Sequence, residues 1–107
     1  MVSQIQPAHL KQLLYDREPV VLLDVRQPEE NAFCALPGSV LIPLGELSAR
    51  VRELTPTNEL VVVYCHHGVR SISGAAILAQ AGFPNVASLA GGIDRWSQTV
   101  DPGVPRY

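Results

Sequence analysis

Leu60-Val61-Val62-Val63-Tyr64-Cys65-His66-His67-Gly68-Val69-Arg70-Ser71 reads as strand, tight loop and helix start. The first five residues form an apolar, β-branched run of strand length. Small residues at helical spacing follow from Ser71 to Ala81. Cys65 is therefore expected at the C-terminal end of a strand, the edge where parallel sheets bind ligands. A short loop feeding a helix N-terminus can turn several backbone N–H groups toward one point, a nest suited to an anion. Such a nest, with the helix dipole, favours thiolate over thiol. Gly68 can take the positive φ that so tight a loop demands, and Arg70 adds a permanent positive charge. A cysteine after a buried strand is often only a small apolar filler. The His-His-Gly-x-Arg that follows is too polar for a sheet interior and points instead to a reactive thiol in an anion cradle.

Strand and helix patterns alternate on both sides of this stretch. Upstream, Pro7 suits a first helical position, and Leu10, Leu13 and Leu14 recur at i, i+3, i+4, which predicts an amphipathic helix over Pro7 to Tyr15. A short edge strand is expected within Met1 to Gln6. Val20 to Val25 is a continuous apolar run interrupted by Asp24, as in strands covered on both faces. Asp24 falls at the same sheet edge as Cys65, either as a turn acceptor or as a support accepting backbone or arginine hydrogen bonds. A short helix is expected over Pro28 to Phe33, with Arg26, Glu29 and Glu30 as an exposed ion-pair cluster of small energetic value. Val40-Leu41-Ile42 reads as a short strand after the Pro37-Gly38 turn. Leu44, Leu47, Val51 and Leu54 share one helical face. That helix ends before Pro56, and residues 55–58 form a turn.

Downstream, Gly74, Ala75, Ala76 and Ala79 are small enough to let the helix lie close on the sheet. Gly82 and Pro84 stop it. Val86 to Leu89 is the last strand. Gly91-Gly92 is either a flexible turn or a close backbone approach to the reactive loop. A helix from Ile93 to Val100 carries Trp96, expected as a core or lid plug. Asp101 to Tyr107 reads as a tail. Together these patterns predict one α/β domain over residues 1–107, with a mainly parallel sheet between helices.

Composition limits the partners. With 107 residues and 47% apolar content, the chain can build one core of two or three layers. A net charge of −2 provides no basic field, so neither nucleic acid nor an anionic membrane is expected as partner. His9, Lys11, Asp16, Arg17 and Glu18 interrupt the first twenty residues, so no signal peptide is expected. Two cysteines, Cys34 and Cys65, make no disulfide framework, and a reducing cytoplasm suits a working thiolate. Cys34 lacks a nearby basic residue or glycine loop and is expected to pack. Cys65-His66-His67 offers metal-ligand residue types without ligand spacing, so no metal and no cofactor is expected.

The motifs, in order and spacing, resemble the single-domain rhodaneses, which are thiosulfate and persulfide sulfurtransferases. The resemblance rests on Asp24-Val25-Arg26 with Glu29-Glu30, Pro37-Gly38-Ser39, Cys65-x-x-Gly68-x-Arg70-Ser71, and Gly91-Gly92 followed by Trp96. It runs from about Pro7 to the end. It implies a three-layer α/β/α fold around a five-stranded, mainly parallel sheet. It also implies that Cys65 takes up a sulfane sulfur as a persulfide and passes it to a thiophilic acceptor. The active-site loop maps onto Cys65 through Arg70. By that reading His66, His67, Gly68, Val69, Arg70 and Ser71 bind the substrate, while Asp24, Arg26, Gly91 and Gly92 support the loop. The donor would be thiosulfate, a small anion, or a persulfide; the acceptor would be a thiol, including one on a partner protein. Many relatives carry Gly-His-Ile where this chain has Cys34-Ala35-Leu36, so a family histidine is missing, and Cys34 is open to a second role as resolving thiol.

Two other readings compete with the enzyme. Phosphatase or arsenate-reductase sites on related folds usually place five residues between cysteine and arginine; here there are four. A non-catalytic binding module could use the same fold but has no need of an intact cysteine loop.

Overall fold

The computed structural model describes residues 2–55 and 58–107. The chain runs β1 (Ser3–Ile5), α1 (Pro7–Tyr15), β2 (Val20–Asp24), α2 (Pro28–Phe33), β3 (Val40–Leu41), α3 (Leu44–Arg50), a 3-10 turn (Val51–Glu53), β4 (Leu60–Tyr64), α4 (Arg70–Gln80), β5 (Val86–Leu89) and α5 (Gly92–Thr99). The five strands lie in the order β1-β5-β4-β2-β3, and every pairing is parallel. Both edge strands are short, at three and two residues, which leaves little unpaired edge. Residues 56 and 57 of the expected turn at 55–58 lie outside the described residues, as does Met1 of the expected N-terminal strand.

The two-residue period of β4 divides the core. Val61, Val63 and Cys65 face α3 and α4, together with Leu23, Leu47 and Leu78. Val62 and Tyr64 face α1 and α5, together with Leu10, Leu22 and Trp96. A strand with packing on both faces has no polar side to show, which is why the run reads as continuously apolar. Each fully buried leucine or valine contributes roughly 1.5–3 kcal/mol relative to exposure.

The helices differ from the sequence reading in detail. In α1, Leu10 is buried and Leu13 packs against it, whereas Leu14 is exposed, so the apolar stripe is narrower than its spacing suggests. In α4, Gly74 and Ala75 make the close approach, while Ala79 is exposed. A Cβ on Gly74 would stand 3.0 Å from Val63 Cγ1 and 3.3 Å from Val25 Cγ1. This contact seats α4 on the strands that end at Asp24 and Tyr64. Trp96 is buried in the core as a plug.

Residues after α5 do not form a loose tail. Val104 is buried in the α1/α5 core, and Ser97 Oγ donates to its carbonyl. Arg106 Nε donates to Asp94 Oδ1 at 2.9 Å. Tyr107 reaches the loop after Cys65. Two prolines and a glycine in 101–107 exclude a helix but not an ordered, docked segment.

Candidate active site

Pairing of β2 with β4 sets Asp24 beside Tyr64 at the C-terminal ends of adjacent strands. Cys65 comes next, with its side chain on the α4 side and only 1% of the residue exposed. Residues 66–69 turn the chain into α4. Within that turn Gly68 N–H points at Cys65 Sγ from 3.1 Å and Ser71 N–H from 3.4 Å. Ser71 Oγ lies 3.5 Å from the sulfur, in reach of the thiol proton. Two backbone donors thus converge on one buried sulfur, the arrangement expected of a nest at a helix start. Their worth is raised by the low local dielectric.

Ser71 Oγ shares a 2.7 Å hydrogen bond with Ser88 Oγ, which is fully buried on β5. Ser88 escaped the sequence reading. The signal was present, because a hydroxyl in the middle of an apolar strand requires a partner when buried.

Gly91 and Gly92 make the close approach rather than a flexible turn. Both have positive φ, +74° and +62°. A Cβ on Gly92 would collide with the carbonyl groups of Cys65 and His66. Ile93 N–H donates to the Cys65 carbonyl at 2.9 Å and Asp94 N–H to the His66 carbonyl at 3.1 Å. The start of α5 thereby supports the loop through the loop's own carbonyls. Gly68, at φ +97°, faces the same glycine pair: its Cβ would stand 3.1 Å from Gly91 N.

The two histidines do not aim at the sulfur. The His66 ring stacks on Tyr107 at 3.9 Å and 7°, and on His67 at 3.9 Å and 30°. Burial, and then the neighbouring His67, lower the His66 pKa below its ordinary 6.5. Its Nε2 is buried with no hydrogen-bond partner among the described residues. His67 is mostly exposed, with Nδ1 3.8 Å from Asp94 Oδ2. Val69 is 75% exposed. Among the loop residues expected to bind substrate, Gly68 and Ser71 supply the donors to sulfur; His66, His67 and Val69 shape the mouth.

Arg70 is not a free charge. Its Nη1 and Nη2 donate to Glu30 Oε1 and Oε2 at 2.7 and 2.9 Å. The Arg70 hydrogen bonds hold the Glu30 carboxyl down at about 2. The Tyr107 hydroxyl donates to Glu30 Oε2 at 2.6 Å and accepts from Arg26 Nη1 at 2.9 Å. Burial, and then the bond to Glu30, push that hydroxyl up to about 12.

Arg26 is no part of a surface cluster, contrary to the sequence reading. It is fully buried and forked onto Asp24, Nε to Oδ1 at 2.9 Å and Nη2 to Oδ2 at 2.8 Å. The strand register brings its backbone inside, and Asp24, Tyr107 and backbone carbonyls receive the guanidinium. Asp24 therefore acts as an arginine acceptor and supports the site through Arg26 rather than by touching the loop after Cys65. Arg26 Nη2 also donates to the Cys34 carbonyl at 2.6 Å. Tyr64 Oη accepts from Leu36 N–H at 3.1 Å. Cys34-Ala35-Leu36 is thus held from both ends without the family histidine. Cys34 packs against the α1/α5 core, but the fold does bring a basic group near it, with Arg26 Nη1 3.9 Å from Sγ.

Among the described residues no three His, Cys, Asp or Glu side chains are grouped as a metal site requires. No helix among them is long and apolar enough to cross a membrane.

Comparison with known proteins agrees with this geometry over nearly the whole chain. A protein named sulfurtransferase from Allochromatium vinosum is 38% identical over 98 residues, 92% of this chain and 91% of that one. An adenylyltransferase and sulfurtransferase from Arabidopsis thaliana is 32% identical, but this chain spans only 26% of its length. The crystal structure of a rhodanese-related protein from Thermoplasma volcanium superposes with a TM-score of 0.84 at 30% identity, covering 98% of this chain and 99% of that one. The Rhodanese-like domain matches residues 6–99, from the turn before α1 to the last residue of α5, and with the cysteine cradle and the glycine pair that braces it both inside that span, the chain belongs to the rhodanese-like family.

Proposed function

We propose that the protein is a sulfurtransferase that carries a sulfane sulfur as a persulfide on Cys65. The observation that carries this reading is the pair of N–H groups, Gly68 and Ser71, aimed at a buried sulfur. In the first half-reaction the Cys65 thiolate attacks the outer sulfur of thiosulfate. The S–S bond of the donor breaks and its electron pair leaves with sulfite. Cys65 keeps the sulfur as a persulfide anion, and total charge is conserved. In the second half-reaction a thiolate acceptor attacks the outer sulfur, departs as a persulfide, and returns Cys65 as thiolate. A small-molecule or protein persulfide serves as donor in the same way. Such covalent splitting gives ping-pong kinetics.

The protein's own contribution is electrostatic. The N–H donors already face Sγ in the resting protein, so they are preorganised for negative charge on the cysteine sulfur. Ser71, held by Ser88, gives the thiol proton a hydroxyl to interact with at 3.5 Å. A reducing compartment such as the cytoplasm keeps the resting thiol available. A phosphatase reading is disfavoured by the four residues between Cys65 and Arg70, and by the absorption of Arg70 into an ion pair. A pure binding module would gain nothing from a nest around a buried sulfur.

Intact-mass analysis after exposure to thiosulfate, and separately to a persulfide donor, tests the reading. Wild type and Cys34→Ser should each gain one sulfur atom, and Cys65→Ser should gain none. Sulfur loading of Cys65→Ser at the wild-type rate would overturn the assignment.

A further inference from the structure

We infer that Arg95, rather than Arg70, is the residue that recruits an anionic sulfur donor to Cys65; this rests on the sulfurtransferase reading. Four arginines stand at the sheet edge that holds the cradle, and three are already neutralised. Arg26 is forked onto Asp24, Arg70 onto Glu30, and Arg106 onto Asp94. Asp24, Glu30 and Asp94 are each matched by one of these arginines. Arg95 is exposed on the first turn of α5 and makes no side-chain ion pair or hydrogen bond among the described residues. Its charge is the uncompensated one.

Its position also fits the task. The side chain folds back over Gly91: a Cβ on that glycine would lie 2.6 Å from Arg95 Cβ and Nε, and 2.8 Å from Cδ. Gly91 is the residue against which Gly68 packs, with Gly91 N 3.1 Å from where a Gly68 Cβ would be. Gly68 N–H is in turn 3.1 Å from Cys65 Sγ. Arg95 Nε thus lies against Gly91, the glycine on which Gly68 of the sulfur-binding loop packs. Only glycine at 91 leaves room for this fold-back. A planar fork of N–H donors placed there suits the oxygen atoms of a sulfonate-like group while the outer sulfur enters the nest. A dianion such as thiosulfate gains more from an unpaired cation than a neutral reagent does, and the gain is screened by salt.

Two measurements on the full chain test this. The first is the rate of Cys65 loading by thiosulfate in wild type, Arg95→Gln, Arg95→Lys and Arg70→Gln. The second is the ratio of Cys65 alkylation rates by iodoacetate, an anion, and iodoacetamide, its neutral analogue. Arg95→Gln should lower kcat/KM for thiosulfate by about threefold to tenfold, flatten its dependence on ionic strength, and lower the iodoacetate-to-iodoacetamide ratio. Arg95→Lys should recover part of each loss. Arg95→Gln indistinguishable from wild type in both measurements, or a collapse of the ratio in Arg70→Gln alone, would overturn the inference. If wild type takes no sulfur from any donor, the sulfurtransferase reading has failed, and the alkylation ratio still reports whether Arg95 recruits anions.

Discussion

Glu30 grips both terminal nitrogens of Arg70, at 2.7 and 2.9 Å, and so ties the short helix after β2 to the first residue of α4. The pair spans the mouth of the cysteine loop. It turns a charge that looks available to substrate into a brace, because a bidentate carboxylate satisfies the guanidinium fork.

The Glu30 carboxyl is held at about 2 instead of its ordinary 4.5, with the Arg70 hydrogen bonds as chief cause. A depressed carboxyl stabilises the fold above its unfolded pKa and loses that contribution as pH falls through the folded value. Urea unfolding should show wild type losing stability between about pH 4.5 and 2. Glu30→Gln should show a shallower slope in that window, with part remaining because Asp94 is also lowered by Arg106. Identical slopes would mean that the pair is not formed in solution.

Among the described residues Asp24 is the sole carboxylate on the buried Arg26 guanidinium. Removing one partner of a buried ion pair strands the other, so Asp24→Asn should destabilise the fold by roughly 3–5 kcal/mol. The double variant Asp24→Leu/Arg26→Met removes both charges and should lie closer to wild type than the single one. Denaturant midpoints for the three proteins check the order; a harmless Asp24→Asn would contradict the buried fork.

Gly92→Ala places a Cβ into the Cys65 and His66 carbonyls at a φ of +62°. Backbone strain of this kind costs about 1–3 kcal/mol, and the support of the loop by α5 is lost with it. Sulfur loading of Cys65 should fall steeply even in the fraction that folds. Gly45→Ala is the matched control: nothing lies within 4 Å of its Cβ, and it stands in the first turn of α3. That change should be neutral or stabilising by up to about 1 kcal/mol. Loading and thermal unfolding of both variants separate the local clash from a general intolerance of alanine.

Tyr107 contributes a ring and a hydroxyl that can be removed separately. Tyr107→Phe keeps the stack on His66 and loses the bonds to Glu30 and Arg26, a change worth about 0.5–1.5 kcal/mol. Tyr107→Ala also uncovers His66. Burial is the main cause of the lowered His66 pKa, so NMR titration should show it rising toward 6.5 in the alanine variant and staying low in the phenylalanine one. No rise in Tyr107→Ala would mean that the ring does not cover His66 in solution.

The central strand, the cysteine loop and α4 were legible in the sequence because each is set by neighbours a few residues away. Val61 to Cys65 alternate between two apolar faces, Gly68 answers a local demand for positive φ, and Gly74 with Ala75 marks where a helix must come close. The order and spacing of the motifs carried the family. What stayed hidden was every relation between distant segments. Glu30 meets Arg70 across 40 residues and Tyr107 across 77. Arg26 reads as a surface charge until the register of β2 with β4 buries it beside Asp24. The segment after α5 reads as a tail because Pro and Gly exclude regular structure, yet Val104 and Tyr107 have apolar area to bury. A one-dimensional pattern records which face of an element is apolar, but not which charged or aromatic side chain the packed layers bring opposite it. Local periodicity determined that a thiol sits in a nest of N–H groups. The tertiary structure alone decided which charges around that thiol are already neutralised, because an ion pair depends on which chain segments the strand order makes neighbours.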